Sequence, residues 1–352
     1  MPKQLTIKEI AKLSGVSAGT VDRVLHNRGS VADDKRKAVE KVLAEVKYKY
    51  NIHTSAISFK KTINLTVTTP EDKPGEYWAS LHRGIDRALE EYSDIDIHCL
   101  SATYDQFDIY SCRETFKKIV DGKPDGVIIG PTFEEETIRL CKSLERNGIP
   151  YIFVDSSLEQ VSPVASFTTE QFACGSLLAR LLYTICPPGS EFAILESSRV
   201  GDQYSHNSSE RRKGFEKYLD SKDALNRCRY HNFSTRDLER TSQEIAGFLK
   251  AYPKVRGIGV MNSRSHIISD ILDKNGRDDI YLVGFDLTEG NIRCVNDGKI
   301  SVLLCQKPEQ QGFSAVTYMI EHLLYKKPQE TARKMMPIDI ITAENLPYYS
   351  SF

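Results

Sequence analysis

From Thr62 onward the chain alternates short β-rich apolar runs with amphipathic stretches, and few folds accept that alternation. Apolar runs at 63–68, 95–101, 126–130 and 151–155 are separated by helical periods at 77–92, 110–121 and 134–147. Parallel neighbours need crossovers of a dozen or more residues, and these helical spans supply them, so the pattern predicts a doubly wound parallel sheet. The grammar restarts after Phe167, with a helix over 170–184 and strands near 192–195, 227–231, 257–261 and 280–285. Helices near 209–219, 236–252 and 265–274 lie between them. Two successive open α/β lobes imply a cleft between the carboxyl ends of two sheets. We expect the first lobe to comprise 62–162 plus about 292–322, and the second 163–291 plus about 323–352.

The first fifty residues follow a different rule. Thr6 with Glu9 makes a capping box, so a helix starts at Ile7, and Ile7, Ile10, Ala11 and, at the margin, Leu13 supply an apolar face. Gly15 ends it. Ser17 can cap a second helix whose Val21, Val24 and Leu25 point inward, leaving the side of Ala18, Gly19, Asp22 and Arg23 free to enter a groove. A third helix runs from about Asp33 to Tyr48, with Ala38, Val39, Val42, Leu43 and Val46 at helical spacing and Asp33 and Asp34 in its first turn. Two short helices about a glycine turn are the grammar of a helix-turn-helix reader of DNA.

Charge agrees. Residues 1–60 hold 9 Lys and 3 Arg against 3 Asp and 3 Glu, although the whole chain of 352 residues, with 47 basic and 48 acidic, is balanced at −1. A basic head on an acidic body suits a small DNA-binding module, residues 1–50, joined to a larger domain by a polar linker, 51–61. Eight cysteines (99, 112, 141, 174, 186, 228, 294 and 305) show no CxxC pair, and several lie inside apolar runs such as Leu303-Leu304-Cys305, so buried free thiols in a reducing compartment are expected over a disulfide or metal framework. No apolar stretch approaches the about 18 residues a bilayer needs, and nothing at the start reads as a signal peptide; the expectation is a cytoplasmic protein beside the nucleoid, without a membrane partner.

The run Thr6, Glu9, Ile10, Ala11, Ser14, Gly15, Val16, Ser17, Thr20, Val21, Arg23, Val24 and Leu25, continued by Tyr48 and Asn51, resembles the lactose/galactose repressor (LacI/GalR) family of transcription regulators. In the body the resemblance rests on Val154-Asp155, Arg211 in an R-x-x-G-F run ending at Gly214-Phe215, Asn262, the strand end Val283-Gly284-Phe285-Asp286, and Gln306 before Pro308. It implies a small all-α helix-turn-helix domain followed by a two-lobed α/β body of the type I periplasmic-binding-protein kind, with parallel sheets and helices on both faces. It further implies a homodimer reading a pseudo-palindromic double-stranded operator, its linkers forming hinge helices in the minor groove, and a small-molecule effector, in most members a sugar. Ile57 falls where the family places a wedging leucine, and such a wedge kinks DNA at a few kcal/mol of unstacking.

The recognition helix departs from the family pattern. Ala18 and Gly19 stand where base-reading side chains are usual, which leaves Arg23 as the best direct reader, bidentate to guanine. Asp22 replaces the usual serine and either accepts from a cytosine amino group or braces Arg23; His26 reads as a phosphate contact. Thr6, Ser17, Thr20, Tyr48 and Asn51 complete the DNA-facing set, with Lys3, Lys8, Lys12, Arg28, Lys35 and Arg36 supplying charge.

Arg211, Asn262 and Asp286 are the right chemistry for vicinal hydroxyls: a fork of donors, an amide that gives and takes, and a carboxylate. Asp155 and Asp286 each end an apolar strand, Tyr77 and Trp78 can stack on a sugar face, and Gln306 completes the expected ligand set, with Phe133 and Phe167 behind. The first-lobe stretch near Arg83, Gly84 and Ala88 reads as subunit interface, and His98 and His231 as structural. No cofactor and no metal is expected. Enzyme readings fare poorly: there is no GxSxG nucleophile elbow, since the one matching string, Gly15-Val16-Ser17-Ala18-Gly19, belongs to the helix-turn-helix and follows no strand, there is no GxxxxGK[ST] or HExxH, and Gly257-Ile258-Gly259 sits inside a strand. A soluble solute-binding protein would share both lobes, but not the helix-turn-helix. An architectural DNA-binding protein that has lost ligand sensing is the third alternative.

Overall fold

The computed structural model describes residues 7–25, 31–45, 62–71, 73–197, 206–325 and 332–349. Contacts divide the chain near Thr62 into a small head and a large body. The expectations for Thr6, His26, Tyr48, Asn51, Ile57 and the linker 51–61 lie outside the described residues.

In the head, α1 (Ile7–Ser14), α2 (Ala18–Leu25) and α3 (Asp33–Glu45) pack around Ile10, Val21 and Val39, each fully buried, with Ala11, Val24 and Val42 beside them. Gly15 ends α1 at φ +67°, and the Val16 N–H reaches back to the Ala11 carbonyl at 3.1 Å. Ser17 Oγ accepts the Thr20 N–H at 3.1 Å, satisfying one orphan donor of α2. Leu13 is 58% exposed rather than part of the apolar face: α1 is eight residues long, and Ile10 and Ala11 already fill its contact with α2 and α3.

The body contains two six-stranded sheets. Chain order runs β1 (Ile63–Thr68), α4 (Tyr77–Glu91), β2 (Ile97–Ser101), α5 (Ile109–Gly122), β3 (Gly126–Ile129), α6 (Glu134–Arg146), β4 (Tyr151–Asp155), β5 (Ala165–Thr168), α7 (Gln171–Ile185), β6 (Glu191–Ser197) and α8 (His206–Asp220). It continues through β7 (Cys228–Phe233), α9 (Leu238–Ala251), β8 (Val255–Val260), α10 (Ser265–Lys274), β9 (Tyr281–Phe285), α11 (Glu289–Asn296), β10 (Val302–Cys305), α12 (Pro308–Tyr325), β11 (Ala332–Met335) and β12 (Asp339–Ile341). The first sheet has the order β11-β5-β4-β3-β1-β2, parallel throughout; the second, β12-β10-β9-β8-β6-β7, is parallel except for its edge strand β12. Strands this thoroughly parallel need both faces covered. Along β6, Phe192 and Ile194 face α7 and α8, while Ala193 and Leu195 face the side where Ile245 of α9 and Ile268 of α10 pack.

The lobe boundaries differ from expectation. Strand β5 belongs to the first sheet, so that lobe continues past residue 162. β10 joins the second sheet and β11 the first, so 292–322 is not all first lobe and 323–352 is not all second. The chain crosses between lobes three times, after Thr168, Cys305 and Met335, and edge strands are recruited from beyond their neighbours in sequence. Helix α12 does pack on the first lobe: a Cβ on Gly312 would sit 2.2 Å from the Leu81 carbonyl. Gly84 therefore faces α12 of the same chain, a Cβ there lying 1.8 Å from the Glu309 carbonyl, and Ala88 is fully buried, so neither is surface within the expected subunit interface; Arg83 is exposed.

All eight cysteines are free thiols, seven of them buried, and burial raises the pKa of Cys174 and Cys305 to about 12. Among the described residues no helix is long and apolar enough to cross a membrane.

Candidate functional site

Two apolar strands end in acid. Asp155 closes β4 and Asp286 follows β9, both with left-handed backbones at φ +68° and +67°. Aspartate tolerates that region better than most side chains, yet it is a strained choice, of the kind kept where position matters. Both carboxylates lie at carboxyl ends of strands, where an open α/β sheet leaves its crevice. The crevice is a cavity of about 580 Å³ continuous with solvent. Tyr77, Trp78, Asp155, Arg211, Asn262, Asp286 and Gln306, the whole expected ligand set, line it.

The first lobe contributes Asp155, whose Oδ1 accepts the Tyr77 hydroxyl at 2.7 Å. Across the cleft, Asn207 Nδ2 on α8 donates to Asp155 Oδ2, also at 2.7 Å. Burial and the nearby Asp155 and Asp286 charges hold the Tyr77 hydroxyl well above its usual pKa, so it acts as a donor. Trp78 stands edge-on to Tyr77, with ring centroids 5.1 Å apart, and rests on Gly130, where a Cβ would come within 2.7 Å of the indole.

The second lobe contributes Arg211. Its Nε donates to Gln171 Oε1 at 2.7 Å, Nη1 to the Met261 carbonyl at 2.7 Å and Nη2 to Gln306 Oε1 at 2.8 Å, while its guanidinium lies 3.9 Å over the Phe285 ring. The R-x-x-G spacing explains how it gets there. A Cβ on Gly214 would fall 1.9 Å from the Phe172 carbonyl, and one on Gly175 1.7 Å from the Arg211 carbonyl, so the two glycines let α7 and α8 touch backbone to backbone. Gln306, just past the second lobe crossing, donates through Nε2 to both Asp286 oxygens at 3.1 and 3.0 Å. Desolvation pushes the Asp286 carboxyl up to about 7, against the pull of Arg211 and the Gln306 hydrogen bonds. Asn262 Nδ2 donates to Ser197 Oγ at 3.0 Å and its Oδ1 accepts the Arg264 N–H at 2.9 Å.

Three amides escaped sequence reasoning. Gln171 bridges Arg211 to the Asp155 carbonyl; Gln311 accepts the Asp155 N–H at 2.7 Å and donates to the Gln306 carbonyl at 2.9 Å; Asn207 spans the cleft. Gln171 and Gln311 sit in the first turns of the helices that follow two of the lobe crossings, and that placement was their available signal. Phe133 and Phe167, expected at the margin of the site, are core: Phe133 is 1% exposed beside Tyr104, and Phe167 packs on Tyr318. His231, stacked on Phe248, has its pKa lowered by burial, which suits a structural role. Amide-rich donors and acceptors around two carboxylates and a guanidinium can hold a small hydroxylated molecule; among the described residues no group of side chains could hold a metal ion.

In the head, Ser17, Gly19 and Arg23 are exposed along α2, while Thr20 and Asp22 are half-buried. Ala18 is also half-buried, packed on the head core, so it is less free than its position suggests. Around Gly19 there is open space, the nearest neighbour of a Cβ being Ser17 Oγ at 3.9 Å.

A helix-turn-helix head and a two-lobed body with a polar cleft define a class, and the comparisons agree. Residues 6–51 match the bacterial regulatory proteins, lacI family, and residues 66–327 match the periplasmic binding protein domain. The fold is similar to a crystal structure described as a LacI transcriptional regulator from Bacteroides fragilis, at 32% identity and TM-score 0.77, covering 82% of this chain and 100% of that one. The ribose operon repressor of Halalkalibacterium halodurans is 22% identical over 344 residues, 96% of each chain. The transcriptional regulator DegA of Bacillus subtilis is 28% identical over 152 residues, 42% of this chain and 43% of DegA, so that match spans less than half of either protein. The chain belongs to the LacI family of bacterial regulatory proteins.

Proposed function

We propose that the protein is a dimeric, sequence-specific DNA-binding transcription regulator, a repressor, whose body senses a sugar or a similar small polar metabolite. The observation that carries the sensor is the convergence of Tyr77, Trp78, Asp155, Arg211, Asn262, Asp286 and Gln306, drawn from both lobes, on one cavity. Carboxylates, a guanidinium fork and amides are the groups that discriminate hydroxyl stereochemistry, and Trp78 offers an apolar face. The ribose operon repressor among its relatives supports the same chemical class. In the head, Arg23 is the direct base reader, with Ser17, Ala18, Gly19, Thr20 and Asp22 around it and Thr6, His26, Tyr48 and Asn51 as further contacts; Ile57 is the minor-groove wedge. The operator is a pseudo-palindrome, because two copies read two half-sites.

Effector and operator are coupled by linkage: a ligand that changes DNA affinity has its own affinity changed by DNA by the same factor. The test selects binding sites for the full chain from a random duplex pool, then measures their affinity with and without sugars. An enriched pseudo-palindrome whose affinity a sugar alters supports the reading, with the response lost in Asp286→Ala and base preference relaxed in Arg23→Ala. A pool with no enriched sequence, or a selected site insensitive to every sugar, sinks it.

A further inference from the structure

The cleft does not end at the inner cavity. Gln106, in the loop before α5, and Arg264, just before α10, line the inner cavity, an adjoining passage of about 300 Å³ and an outer cavity of about 850 Å³, both continuous with solvent. One residue from each lobe thus stands at the neck between two spaces.

The charged groups of these spaces are unequally satisfied; Glu76 lines the passage together with Arg264, and Glu71 and Asp105 line the outer cavity. Asp155, Asp286 and Arg211 are engaged by Tyr77, Asn207, Gln306, Gln171 and the Met261 carbonyl. In the outer cavity Arg236 pairs with Asp105 at 3.2 Å. Arg264 is different. Among the described residues its guanidinium has a ring for a neighbour, Phe107 at 5.2 Å, and no carboxylate or carbonyl within hydrogen-bond distance. Desolvation lowers its pKa, while Glu76, the acid acting on it, opposes that shift from beyond ion-pair range. A half-buried cation whose five donors meet no acceptor is costly unless something arrives to use them.

We propose that the effector carries an anionic group, a carboxylate or a phosphate, that seats on Arg264 at the Gln106 neck while its hydroxyls occupy the inner cavity. This rests on the sugar-sensor reading above and narrows it to acidic sugars. The Arg264 guanidinium, 5.2 Å from the Phe107 ring centre, carries its donors as a planar fork, and such a fork matches two oxygens of one anion. The outer cavity gives the group, or a longer acidic saccharide, room to leave the neck toward solvent.

The test is calorimetric titration of the full chain with matched pairs: glucose and glucuronate, galactose and galacturonate, ribose and ribose 5-phosphate. In at least one pair the anionic member binds at least about 10-fold tighter, the scale of one good charge-assisted contact. Preference in the uronate pairs assigns a carboxylate, and preference in the ribose pair a phosphate. Arg264→Gln brings that ratio close to one and Arg264→Lys keeps part of it, with circular dichroism confirming that each variant folds. In the wild type the same ratio falls with added salt, a readout that needs no variant. Neutral sugars binding as well as or better than their acidic partners in every pair overturn the inference and leave the sensor reading standing, as does a preference that survives Arg264→Gln. Binding of neither class overturns both.

Discussion

Replacing Arg211 by Met keeps the side chain's bulk and removes its donors, and the structure sets the size of the effect. Three acceptors, Gln171 Oε1, the Met261 carbonyl and Gln306 Oε1, lose their partner, and the 4%-exposed site loses the positive charge that pulls the Asp286 pKa down. A hydrogen bond to a charged group contributes about 1.5 to 3 kcal/mol, but water from the adjoining cavity can re-satisfy these acceptors, so about 1 kcal/mol each, or ~3 kcal/mol in total, is the expected loss. At about 2 to 4 °C per kcal/mol for a domain this large, the body's melting transition falls by roughly 6 to 12 °C. Arg211→Lys keeps the charge but not the fork and recovers part of the loss. The assay is thermal unfolding of the full chain followed by circular dichroism. A melting temperature within about 2 °C of wild type for Arg211→Met would refute the claim that this guanidinium organises the floor of the cleft.

Asp286, raised from 3.8 to about 7, keeps a proton in the folded chain that the unfolded chain releases between those values. Its contribution to stability therefore falls as pH rises through that window and levels off above pH about 7; the loss reaches ~4 kcal/mol, because each pH unit crossed costs about 1.4 kcal/mol. Asp286→Asn removes this slope, so in paired melting curves the variant gains on wild type as pH rises from about 4 to 7 and the difference is constant above that; parallel curves across that window would contradict the buried-acid account. Gly214→Ala forces a methyl against the Phe172 carbonyl, separates α7 from α8, and lowers stability by at least about 1 to 3 kcal/mol while weakening effector binding through Arg211. Unchanged effector affinity in that variant would show that the close helix contact does not position Arg211. Ser17→Ala removes the α2 cap and costs the head about 1 kcal/mol, seen as weaker operator binding that steepens on warming; wild-type binding at every temperature would count against the cap.

Much of the site was readable because its acids terminate apolar runs, Val154-Asp155 and Phe285-Asp286 announcing strand ends, while Arg211 was legible through the R-x-x-G-F run shared with the family; the close helix contact made by Gly214 was not. What joins these residues was not. Gln171, Asn207 and Gln311 are single amides without period or spacing, and they become partners through the lobe crossings that bring α7, α8 and α12 to the cleft. The same crossings explain the misassigned lobes, since Val302–Cys305 and Ala332–Met335 are short strands whose sheet is chosen by topology rather than by local pattern. The stretch near Gly84 was read as subunit interface, but the close approach that Gly84 permits is to α12 of the same chain. In the head, helical spacing placed Ile10, Val21 and Val39 correctly and overcounted Leu13, because a helix of two turns has room for fewer inward residues than its pattern offers.

The chain has one tryptophan, and Trp78 lines the cleft at 6% exposure, so its emission reports on the proposed sensor without any label. Titrating the full chain with the sugar that alters operator binding is the most direct test of the central claim. The account predicts a saturable change in Trp78 emission with the same midpoint as the change in DNA affinity, and neither change in Asp286→Ala. An operator response to sugar that leaves Trp78 emission untouched, or that persists in Asp286→Ala, would place the effector elsewhere and contradict the account.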